Sequence, residues 1–135
     1  MATPTQIDSI GKLILRLTLG VLMLFHGVAK LMHAPAIIER IGAQLVSAGL
    51  TPYLVYAVFI GEVLAPLMII FGVFTRIGGL LVVINMIFAV YLVHPGDILS
   101  LTKNGGWVLE LQAFYLFAGL ALLFLGSGRI AVKPD

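Results

Sequence analysis

The chain has 135 residues, room for one domain, and 61% of them are hydrophobic while only 10% carry a charge. That balance lies outside the range of water-soluble domains, and a net charge of +2 spread over scattered basic residues speaks against a nucleic-acid footprint. The sequence holds no cysteine, which excludes disulfides, thiolate metal sites and thiol relays.

Four segments, at about 13–32, 53–74, 77–93 and 107–125, reach the roughly 20 apolar residues that a helix needs to cross a bilayer. Hydrocarbon offers backbone groups no partner, so each is expected as a helix. The result is an all-α integral membrane four-helix bundle forming one domain over 1–135. In the first segment, Ala34-Pro35-Ala36 imitates a signal-peptide cleavage site, but the apolar run is long for a signal core and carries Arg16, His26 and Lys30. At 100° per residue, Arg16, Gly20, Met23, His26, Gly27 and Lys30 share about a third of the helix circumference. Two glycines on that arc suit close helix contact, so the polar arc is expected to face protein.

Residues 35–48 come next, with Ile37, Ile38, Ile41 and Leu45 on one helical face and Glu39, Arg40 and Gln44 on the other. Gly49 and Pro52 follow as terminators, so a short helix is expected here, either lying on the membrane surface or packed on the bundle. In the second span, Ala57, Gly61 and Ala65 form a small-residue ridge with Glu62 at its edge, and Pro66 withholds the amide that would bond the Glu62 carbonyl. The turn around Thr75-Arg76 is short, so the second and third spans form a tight hairpin. Gly78, Asn85 and Ala89 share a face of the third span. In the fourth, Glu110 shares a face with Ala113, Phe114, Phe117, Ala121 and Phe124, and that stripe is expected to turn inward.

With the N-terminus cytoplasmic, Lys12, Arg16, Arg76, Arg129 and Lys133 fall inside and Lys30, Arg40 and Lys103 outside, which places both termini on the cytoplasmic side. Tyr53, Tyr91 and Trp107 then mark the outer boundary. An ionisable residue at the bilayer centre costs roughly 2.5–3.5 kcal/mol on insertion scales, so such residues are paired or functional. Glu62, Glu110 and His26 are the candidate catalytic groups. His26, Lys30, Glu62, Asn85, Glu110, Phe114 and Phe117 are the candidate ligand-binding set, with His26 or Lys30 pairing with Glu110 or Glu62. Each has a plainer reading beside it. Arg16 and Lys30 can snorkel to the interfaces, Glu62, Glu110 and Asn85 can serve as interhelical hydrogen bonders, and the phenylalanines can be packing. His94, before Pro95, reads as a cap. One histidine without a partner at ligand spacing is no metal site, so no metal is expected.

The stretches LRLTLGVLMLFHGVAKL, GEVLAPLMIIFGVFTRIGGL and ELQAFYLFAGLALLFLGSGR closely resemble the DoxX family of small bacterial four-helix membrane proteins, over roughly Ile10–Arg129. Arg16, Gly20, Gly27, Lys30, Glu62, Gly72, Arg76, Glu110, Gly126 and Arg129 match the family's pattern, while the VKPD ending departs from it and supports no inference. The resemblance implies a subunit of, or accessory to, a quinone-linked membrane oxidoreductase system, with a connection to redox stress. Its partners would be the lipid bilayer, membrane or peripheral redox proteins and further copies of the chain. With no haem, flavin or iron-sulfur motif in the sequence, the expected cofactor is a non-covalent quinone. A non-catalytic scaffold or assembly factor is the alternative, and a small transporter a third reading.

Overall fold

The computed structural model describes residues 2–135 and is helical, with no strand among them beyond two isolated β-bridges, Val73–Lys133 and Leu101–Trp107. Helix α1 spans Pro4–Met32 and begins well before the apolar run. Its start is set by a reciprocal cap: the Thr3 hydroxyl accepts from the Gln6 amide at 3.2 Å, and the Gln6 side chain accepts from the Thr3 amide at 2.7 Å. Helix α2 (Ala34–Ser47) follows at once and ends ahead of Gly49, whose φ of 78° is the left-handed backbone that only glycine adopts without strain. Its apolar face packs Ile41 and Leu45 against Val55, so α2 lies against the following helix.

Helix α3 (Pro52–Phe71) changes its winding along the way, from a 3₁₀ turn at Pro52–Leu54 to α-helix, then a π turn at Ile60–Leu64, then α-helix again from Ala65. Gly72 and Phe74, both with positive φ, reverse the chain into α4 (Thr75–Val93). The second apolar segment therefore ends at Phe71 rather than Phe74. After residues 94–109, α5 runs from Glu110 to Leu125. Among the described residues, three helices, α1, α3 and α4, are long and apolar enough to cross a membrane, and α5 is apolar but shorter.

Helices α1, α3, α4 and α5 meet in one core of Leu19, Met23, Ala65, Ile69, Val82, Met86, Tyr115 and Leu122. The surface around it is also apolar, with Phe25, Phe114 and Phe124 at 70–79% exposure. In lipid, exclusion of apolar groups gives no preference for the core over the outside, so cohesion comes from close approach and polar contacts. Glycines provide the approach. A Cβ on Gly79 would overlap the carbonyl oxygen of Gly119, and one on Gly27 would overlap that of Glu62.

The segment after α5 folds back over one end of the molecule. Val132 and Lys133 donate to the carbonyls of Phe71 and Gly72 at 2.9 and 3.1 Å, and Arg129 N donates to Ser9 Oγ at 3.3 Å. The VKPD ending is therefore part of the fold. Arg16 lies beneath this strap at 1% exposure. Its guanidinium donates to the carbonyls of Ile69, Ile70, Ser127 and Ile130 at 2.5–3.0 Å. The plainer reading, in which Arg16 snorkels to an interface, is corrected: strap and hairpin carbonyls take over the role of water.

Candidate functional site

The π turn of α3 prepares the site. Pro66 has no amide to return to Glu62, and the amide of Ala65 instead reaches back five residues to Ile60. The freed Glu62 carbonyl lies against the Cα of Gly27, which binds α3 to α1 at this level. The wide turn directs the Glu62 side chain inward, where it is 5% exposed.

Two neighbouring helices supply its partners. Lys30 Nζ of α1 donates to Glu62 Oε2 in a salt bridge whose lysine end is partly exposed. Asn85 Nδ2 of α4 donates to Oε1 at 3.4 Å. Removing one member of such a buried pair typically costs about 3–5 kcal/mol, because the other charge is left uncompensated.

These groups line a cavity of about 170 Å³. Met23, His26 and Tyr115 form part of its wall, the last two with rings edge-to-face at 5.9 Å between centroids. Arg40 of α2 and His94 at the end of α4 lie at its margin, where His94 Nδ1 and Asp97 Oδ2 are 3.0 Å apart. Gln112 of α5 completes the wall, and its buried Oε1 has no hydrogen-bond partner. The cavity thus offers a carboxylate, an ammonium, two imidazoles and a phenol around a space on the order of five water volumes, at roughly 30 Å³ each. Among the described residues, no cluster of three or more His, Cys, Asp or Glu side chains is placed to hold a metal.

Of the sequence-derived candidates, the structure brings His26, Lys30, Glu62 and Asn85 together at this cavity. It does not bring Glu110, Phe114 and Phe117 there. The ordered helix begins at Glu110, not at Trp107, so this glutamate stands exposed in the first turn, where the unpaired amides of a helix start favour a negative charge. Phe114 and Phe117 are 79% and 64% exposed. The expectation that their stripe turns inward is corrected: the buried face of α5 is Tyr115, Gly119 and Leu122, because contact with Gly79 fixes which side of α5 can approach α4. Besides Arg40 and His94 at the margin, sequence reasoning missed Gln112 and Tyr115 as site residues. Their signal was present, since Gln112, Tyr115, Gly119 and Leu122 recur at helical spacing.

A profile of the DoxX family matches residues 11–95, the stretch that holds Arg16, Lys30, Glu62 and Asn85. A Bacillus subtilis (strain 168) protein named "Putative oxidoreductase CatD" is 31% identical over 125 residues, covering 93% of this chain and 86% of that protein. An uncharacterized protein of Haemophilus influenzae is 29% identical over 121 residues, covering 87% of this chain and 84% of its own length. No solved structure matches the chain. With apolar helices of membrane-spanning length and a family match over most of its residues, the chain is a membrane protein of the DoxX family.

Proposed function

We propose that the chain is an inner-membrane protein in which α1, α3, α4 and α5 all cross the bilayer, with both termini cytoplasmic, and that it serves a quinone-linked oxidoreductase system as a subunit or accessory. The observation that carries this reading is the Lys30–Glu62–Asn85 trio, set among apolar helices with Glu62 and Asn85 buried and the lysine partly exposed, yet bordering open space. A trio needed only to join helices would require no cavity beside it. The oxidoreductase name of the Bacillus subtilis relative points the same way.

The residues present fit a quinone head. The cavity has room for one small ring, Lys30 and the histidines can donate to ring oxygens, and the unpartnered Gln112 Oε1 can accept from a ring hydroxyl. A bound quinone would supply two-electron, two-proton chemistry. The chain's own part is to hold the ring, keep it from bulk water and exchange protons at the Glu62 carboxylate, with Lys30 and Asn85 fixing the direction of both its oxygens. Protein purified with native lipids is expected to carry quinone well above the level of an unrelated helical bundle, and parity with that control rejects the reading.

A scaffold without chemistry is favoured by one specific fact, that the trio ties α1, α3 and α4 together at a single point. Glu62→Gln separates the two readings. Combined with Lys30→Gln, which removes the charge that Glu62→Gln alone leaves uncompensated, the near-isosteric amide keeps the shape and some hydrogen bonding, so a scaffold tolerates the pair of changes, whereas a proton-exchanging site loses quinone-linked activity while the protein stays folded.

A further inference from the structure

A second, larger hollow lies on the other side of Gln112. It is an apolar groove of about 590 Å³ between α4, α5 and the segment joining them, walled by Ile87, Tyr91, Trp107, Leu116 and Phe117. Gln112 lines both the groove and the cavity, and its buried Oε1 lacks a partner. On the α4 side the groove is walled by Ile87, Val90 and Tyr91, which span about 6 Å at 1.5 Å per residue, and Pro95 just past the helix end extends that wall.

We infer that groove and cavity form one composite site for a two-part amphiphile, with a small hydrogen-bonding ring in the cavity, an aliphatic or polyprenyl chain in the groove, and Gln112 at the junction. This rests on the quinone reading above and narrows it. The ligand class is the chain-bearing, membrane-dissolved quinones, and water-soluble rings without a chain are poor ligands. Two features support one occupant over two. The cavity is small and carries the ionisable side chains while the groove is larger and apolar, and the residue they share holds an unmet acceptor. An ordinary lipid acyl chain could fill the groove but would bring no donor to Gln112.

Trp107 supplies the readout. It is the single tryptophan of the chain, and its ring N–H donates to the Ile98 carbonyl at 2.8 Å, which holds the indole in the groove wall. The full-length protein in one fixed detergent is titrated with a decyl-substituted benzoquinone and with the same ring lacking the chain, and quenching of Trp107 is followed. The expected result is saturable binding of both, with the decyl compound about tenfold tighter or more. Ala113→Phe, which fills the groove from its α5 wall, should bring the decyl affinity down to that of the bare ring and leave the bare ring unchanged. Val90→Phe fills it from α4 and provides an independent second variant. Because all comparisons share one detergent, partition of the chain into micelles cancels between wild type and variant, and retained bare-ring binding shows that a variant is folded. Equal affinities in the wild type, or equal weakening of both compounds by the fillings, overturns the composite site while the cavity reading stands. Absence of saturable binding by either compound overturns both.

Discussion

Helix α1 carries two cations into the bundle, Arg16 buried and Lys30 partly exposed, and the molecule treats them in opposite ways. Arg16 is surrounded by neutral backbone carbonyls and borders none of the cavities described, whereas Lys30, four turns further on, meets a carboxylate beside open space. The guanidinium suits the first task because its fixed fork can reach several acceptors at once, while an ammonium on a flexible stem suits a site where the partner exchanges protons. The lesson is that a buried charge in a membrane helix is not by itself a functional signal. A charge held by fixed dipoles is structural, and a charge held by a titratable partner next to a void is a candidate for chemistry.

The comparison breaks if Arg16 proves dispensable. Arg16→Met leaves four carbonyls without their donor and is expected to destabilise the protein by on the order of 3–5 kcal/mol, read as a large fall in thermal midpoint in detergent. Arg16→Lys should recover only part of that loss, since a point charge cannot span acceptors from two segments. A smaller effect is expected at the other end. Gly27→Ala places a methyl group against the Glu62 carbonyl, at roughly 1–3 kcal/mol for overpacking, and because α1 must move away from α3, the proposed quinone binding should weaken with it. Truncation after Ala131 removes the strap's bonds to Phe71 and Gly72 and the Asp135 contacts of Arg76. At about 0.5–1.5 kcal/mol net per hydrogen bond, partly replaced by water, it should lower the thermal midpoint less than Arg16→Met does and leave ligand affinity intact. The smallest change, within about ±0.5 kcal/mol, is expected for Phe114→Ala, whose ring faces outward. A large loss there would mean that α5 packs by its aromatic stripe after all.

These contrasts also show why some of the molecule could be read from its sequence and some could not. Polar residues stand out in an apolar segment, so His26, Lys30 and Glu62 were legible as soon as helical angles were applied to α1 and α3. In α5 the inside and outside are equally apolar, and hydrophobic periodicity carries no contrast there. What fixes its facing is the Gly79–Gly119 approach, a long-range contact that no local pattern reveals. The π turn left one trace, Pro66, which marked a freed carbonyl but not the change in winding that directs Glu62 inward. The strap left none, because its pairing with Phe71 and Gly72 is made by backbone groups, which every residue but proline shares.

The strap also sets a schedule. Arg16 is made early and enters the membrane with the first helix, but two of its acceptors, on Ser127 and Ile130, lie 111 and 114 residues downstream. At roughly 5–20 residues per second of synthesis, the guanidinium waits on the order of ten seconds for them. Only docking of the late segment completes the acceptor set, so the Arg16 site closes last although its donor is made first.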